Sequence, residues 1–192
     1  MMLMFVGAVV VVVVVALLAQ ARSQYRRDEA WERFASVRQL GWSNGQIAGV
    51  AGGCTVAIFT EKRGSGRNQY TAAVVRCSLP DVFSASFALE RETVFEKVKH
   101  LVTGPDHQVG DAELDSTFLL TNVDGGARHV LADRAARAAL LSTVERYPAM
   151  RIGNGVLQLE TGKVPGDEAD LSAFLNEALK VATALQRAKQ RG

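Results

Sequence analysis

Met150-Arg-Ile-Gly-Asn-Gly-Val-Leu-Gln-Leu159 decides the fold. Asn154-Gly155 is the strongest short-range hairpin signal a sequence carries, because both central residues of a type I′ turn need positive φ and these two types adopt it readily. That turn sets Ile152 against Leu157 and Met150 against Leu159 on one face, and Arg151 against Gln158 on the other. An antiparallel pair with one apolar side is the unit of a sheet that covers a core.

Working outward, Asp167 to Lys189 places Leu171, Phe174, Leu175, Ala178, Leu179, Ala182 and Leu185 at helical spacing. Upstream, Asp133 is placed to cap a helix running to about Tyr147, with Ala136, Leu140, Val144 and Tyr147 on one stripe and Pro148 beyond. Thr117 to Asn122 reads as a strand and Asp124-Gly125-Gly126 as a turn. Thr93-Val-Phe-Glu96 is a capping box opening a short helix that Gly104-Pro105 ends. Val82 to Glu92 alternates, with Phe83, Ala85, Phe87 and Leu89 on one face, as a half-buried strand does.

Further upstream, Cys54 to Thr60 and Tyr70 to Cys77 are rich in β-forming residues and flank the turn signal Arg63-Gly-Ser-Gly-Arg67. Folding about Ser65-Gly66 opposes Val56 to Val75, Thr60 to Thr71 and Cys54 to Cys77. Gly49-Val-Ala-Gly-Gly53 precedes a strand, whereas a phosphate cradle follows one and opens a helix, so it reads as backbone freedom where a strand begins. The hairpins predict an α+β fold, a mainly antiparallel sheet packed with two or three helices, over a doubly wound one.

Met1 to Ala19 has no charge and only Gly7 outside the apolar set. A span needs about 20 apolar residues, which predicts a transmembrane helix over 1–20, a juxtamembrane helix over 21–40 and one α+β domain over 41–192. Ala19-Gln20-Ala21 keeps a cleaved signal peptide open as the alternative, although no Lys or Arg precedes the apolar run. Arg22, Arg26, Arg27, Arg33 and Arg38 follow it, so the positive-inside rule predicts a single-pass inner-membrane protein with its domain in the cytoplasm. The lipid bilayer is then the expected partner of residues 1–20.

The chain of 192 residues balances 22 Lys and Arg against 20 Asp and Glu, which gives no electrostatic reason to expect a nucleic acid. Cys54 and Cys77 are expected to stay reduced in the cytoplasm and to form a disulfide if the domain is exported. His100, His107 and His129 lack the close spacing of zinc ligands, and no Gly-x-Ser-x-Gly element is present, so no catalytic, metal or cofactor-binding residue is assigned. Asp111 and Asp115 read as turn residues that bond their own backbone.

Gly110-Asp-Ala-Glu-Leu-Asp115-Ser-Thr-Phe118, following a strand that ends in Leu-Glu-Arg-Glu92, resembles a loose set of uncharacterised bacterial membrane proteins. Their pattern is similar to Gly-Asp-x-x-Phe-Asp-x-x-Phe followed by a Leu-rich helix, a hairpin and a last amphipathic helix. Here Leu114 stands at the aromatic position. The resemblance implies an anchored cytosolic α+β domain and implies no catalytic residue. The expected function is therefore a non-enzymatic binding or assembly domain, with a protein partner or self-association. The alternatives are an exported envelope- or lipid-binding domain with a Cys54–Cys77 bridge and a deep apolar pocket between sheet and helices, and a membrane-surface enzyme using Asp111, Asp115 and His107 or His129.

Overall fold

A computed structural model describes residues 2–91 and 108–192; within residues 2–20 the side chains described are those of Val15 and Leu18. Asn154 and Gly155 hold left-handed conformations, φ 51° and 68°. Around them β7 (Arg151–Gly153) and β8 (Val156–Thr161) pair antiparallel, Ile152 opposite Leu157 and Arg151 opposite Gln158. This is the register expected of a type I′ turn.

Two more tight turns of the same chemistry precede it. Asn44-Gly45 joins β1 (Gly41–Ser43) to β2 (Gln46–Ala51), and Gly52-Gly53 joins β2 to β3 (Cys54–Arg63). All four turn residues have positive φ. Residues 49–53 are thus the end of one strand and a hairpin turn, where the sequence had suggested only the start of a strand.

The hairpin of β3 with β4 (Tyr70–Ser78) corrects the expected register. Val56 faces Cys77, Ile58 faces Val75 and Arg63 faces Tyr70. The strands are joined by residues 64–69, which contain a 3-10 turn over Gly66–Asn68, instead of by a two-residue turn. Because the slip is two residues, every side chain keeps its face. Cys54, Val56, Ile58, Ala73, Val75 and Cys77 therefore still share the buried side.

The strand expected over 82–92 shrinks to β5 (Ala88–Arg91). Pro80 cannot donate to a ladder and Asp81 sits at φ 60°, so the chain before β5 turns instead of extending. Phe83 and Phe87 stack at 4.2 Å and are buried there. With β6 (Phe118–Thr121) the strands form one eight-stranded sheet in the order β1-β2-β3-β4-β8-β7-β5-β6, every pairing antiparallel.

Aspartates cap the helices that follow. Asp111 accepts from the amides of Glu113 and Leu114 at the head of α2 (Ala112–Thr117), and Asp124 from Ala127 at the head of α3 (Gly125–Ala132), where only a turn was expected. Asp133 caps α4 (Arg134–Arg146), as the sequence predicts, and Asp167, where the sequence begins its last helix, caps α5 (Glu168–Gln190). The helix expected to open at Thr93-Val-Phe-Glu96, with His100, lies outside the described residues.

Helix α5 lies across β3, β4 and β8, and α3 and α4 pack on it. Val75, Leu157 and Leu159 from the sheet meet a layer that includes Leu171, Leu175, Ala178, Val181 and Leu185, and none of these has measurable exposure. Burying a Leu or Val side chain contributes about 1.5–3 kcal/mol, so this layer is the main source of stability. Among the described residues these side chains fill the space between the sheet and α5.

The transmembrane expectation is corrected. Among the described residues no helix is long and apolar enough to cross a membrane. A single helix, α1 (Met2–Val37), runs through residue 20 without a break. Its described side chains include Arg22, Arg26, Arg27, Asp28, Glu29, Glu32 and Arg33, the charged segment that follows the apolar run in the sequence. Trp31, Phe34 and Ala35 are buried in the core of the α+β domain, so the end of α1 serves that core. The single-pass and signal-anchor features fall with the span.

Candidate functional site

Strand alternation builds the site. Since Val75, Leu157, Leu159 and Ile152 point at the helices, their neighbours Arg76, Gln158 and Arg151 must point away. The pairings Arg76 to Gln158, Gln158 to Arg151 and Arg151 to Glu90 place these residues in one row across β4, β8, β7 and β5. The adjoining rows carry Phe59, Glu160, Glu61 and Arg63. Arg63 meets Glu160 through Nε at 3.1 Å and Nη2 at 2.9 Å, and meets Glu61 at 2.6 Å. The hydrogen bond to Glu160 raises the Arg63 pKa further above its already high range. Glu61 also takes Arg76 at 3.3 Å, and Arg76 lies over the Phe59 ring at 4.8 Å.

Gln158 is the anomaly in this face. It is 5% exposed, and its Oε1 accepts from Arg76 Nε at 3.0 Å and from Arg151 Nη2 at 3.2 Å. Two guanidinium donors on one atom fix the amide orientation, because exchanging O and N would set donor against donor. Gln158 Nε2 consequently points elsewhere, and no acceptor meets it among the described residues. An unmet buried amide costs about 1–3 kcal/mol.

Beside it opens a cavity of about 520 Å³ whose lining includes Arg76, Ser86, Ala88, Glu90, Arg151 and Gln158. That is the size of a small-molecule site, about 300–1,000 Å³. The sequence had opposed Arg151 to Gln158 but drew nothing from it. A Gln between two core leucines was the available signal; Arg76 arrives from a strand that pairs with β8 only in the folded chain.

The residues singled out earlier have structural work. Asp111 caps α2 and pairs with Arg137, and the Leu114 amide, then the Arg137 guanidinium, hold its carboxyl below the usual range. Asp115 accepts from the amides of Val109 and Gly110 at 3.0 and 3.1 Å. Leu114 and Phe118 are core residues, so the Gly110–Phe118 element braces a turn. His129 lies on α3, and His107 lies outside the described residues. Arg191, in the basic tail, donates to Asp133 at 2.6 Å, tying the end of α5 to the cap of α4. Among the described residues no three His, Cys, Asp or Glu side chains gather as a metal site would need.

Cys54 and Cys77 are buried free thiols. The corrected register makes them diagonal instead of opposed, and diagonal pairs sit about 7–8 Å apart, beyond the usual reach of a disulfide. Burial, and then the neighbouring Cys54, push the Cys77 pKa up to about 12; burial also raises Cys54, against a hydrogen bond to Gln186 that lowers it. Only the thiolate is nucleophilic. Native protein at pH 8 is therefore expected to resist iodoacetamide at both positions, while the denatured chain takes up a label at each. Intact mass reads the difference, and rapid labelling of the native chain would contradict the burial of these thiols.

No protein-family model, no curated protein and no solved structure matches this chain, so the row Arg76–Gln158–Arg151 rests on its own geometry and chemistry.

Proposed function

We propose that this chain is a non-enzymatic binding domain that receives a small ligand on the open face of its sheet, in the cavity beside Gln158. The observation that carries the reading is the buried Nε2 of Gln158, which has no acceptor among the described residues although its Oε1 is held by two arginines. A chain that needed only stability at this position would be served by an apolar residue, since a half-satisfied polar group is worse than none. Gln158 lines the cavity, and an acceptor delivered there completes the set once the side chain shifts to open Nε2, which is sealed from solvent in the free chain.

The two groups bonded to Gln158 are arginines, whose guanidinium offers five donors and no acceptor, an arrangement suited to holding a ligand. Their hydrogen bonds to Gln158 set them as fixed donors.

A comparison of the full chain with Gln158→Leu tests this. Without ligand the variant is expected to unfold within about 1 kcal/mol of wild type, because two partly exposed donors lose an acceptor while one orphan disappears. In a small-molecule library followed by thermal denaturation, compounds that stabilise wild type are expected to leave the variant unmoved. A loss above about 3 kcal/mol in the unliganded variant would assign Gln158 to the scaffold. A library without a single hit would remove the binding reading.

A further inference from the structure

We infer that the ligand of this site presents a carboxylate, an inference that rests on the binding reading above. The donors come first. Gln158 Nε2 offers N–H groups with no acceptor among the described residues, and the guanidinium of Arg151, whose Nη2 reaches Gln158, lines the same cavity with Arg76. A guanidinium carries five N–H donors in a plane; Arg76 directs Nε to Gln158 and Nη2 to Glu61, and Arg151 directs Nη2 to Gln158, which leaves further donors on both. A carboxylate, with two oxygens and about four lone-pair directions, accepts several coplanar N–H donors at once, as does a phosphate.

Charge narrows the choice further. This face of the sheet sets Arg63, Arg76 and Arg151 against Glu61, Glu90 and Glu160, which balances. Glu90 lines the cavity itself, and Glu61 is 3.3 Å from Arg76. With these carboxylates offsetting the arginines, the second charge of a phosphate dianion gains no net attraction against the larger desolvation it costs. The cavity also has apolar walls from Phe87, Ala88 and Val156, suited to a carbon skeleton behind the charged end. That chemistry has two sources, a free organic acid or the C-terminus of a peptide.

The experiment uses the full chain labelled with ¹⁵N, and the Gln158 side-chain amide is assigned as the pair of signals lost in Gln158→Leu. Four probes are titrated: benzoate, acetyl-penta-alanine with a free C-terminus, the same peptide amidated, and inorganic phosphate. The expected result is a saturable shift of the Gln158 amide with benzoate or the free peptide and none with the amidated peptide or phosphate. Arg151→Lys is expected to weaken that binding about tenfold, since a bidentate partner is replaced by a point charge. Response to benzoate alone identifies a small acid as the source, and response to the free peptide alone identifies a chain terminus. A shift with phosphate alone, or an equal shift with the amidated peptide, overturns the carboxylate while leaving a binding site in place. If no probe moves the amide, the carboxylate is overturned as well; library hits that depend on Gln158 would then preserve the binding reading, and their absence would remove it too.

Discussion

Trp31→Ala is expected to lower the unfolding free energy by about 3–5 kcal/mol, the range for truncating a buried aromatic residue. Trp31 is 2% exposed near the end of α1, donates Nε1–H to the carbonyl of Pro165 at 2.9 Å and packs edge-on against Trp42 at 6.0 Å. The substitution removes the ring and also leaves a buried carbonyl without its donor, two costs that add. Trp31→Phe separates them, since it retains most of the apolar volume and is expected to lose about 1–3 kcal/mol. Urea unfolding followed by circular dichroism measures both. A loss under 1 kcal/mol for the alanine variant would mean that the end of α1 contributes nothing to the core, contrary to the packing described.

The second large effect is expected at Leu159, where alanine should cost about 2–5 kcal/mol. Leu159 has no measurable exposure and stands opposite Val75 beneath α5. Its neighbour Gln158 is nearly as buried, on the other face, and there the change to leucine is expected to be close to neutral. Adjacent residues of one strand thus separate into a packing position and a binding position. Similar losses at both, measured by denaturant unfolding, would place both in the scaffold and defeat that division.

What was legible in the sequence was local. The Asn154-Gly155 hairpin, the Asp133 cap and the last helix from Asp167 each depend on a short stretch of consecutive residues, and they stand where the sequence puts them. Asn44-Gly45 carried the same turn chemistry and passed unread, because the short strands beside it lack an apolar alternation. The β3–β4 register slipped because Arg63 to Arg67 was read as a two-residue turn, whereas Gly64, at φ 76°, starts a longer loop. A Cβ there would stand 2.3 Å from the Asn68 carbonyl oxygen, so only glycine fits. Apolar run length predicted a span over 1–20, whereas among the described residues no helix is long and apolar enough to cross a membrane, and the end of α1 packs into the core. The Arg76–Gln158–Arg151 row was the least legible part. It joins β4 to β8 and β7 to β5, pairings between distant segments that no local pattern encodes.

That strand order has a consequence for the birth of the protein. The meander β1 to β4 is complete once Ser78 is made, yet the outer edge of β4 waits for β8, which begins at Val156, 156 − 78 = 78 residues later. At about 5–20 residues per second a ribosome takes roughly 4–16 s to supply it, and α5 emerges later still. Throughout that interval β4 offers unpaired amides and carbonyls along one side and the bare apolar face of Ala73, Val75 and Cys77, a template to which another nascent copy can add. The risk of aggregation is therefore concentrated in a window of translation and closes when the final fifth of the chain reaches the sheet.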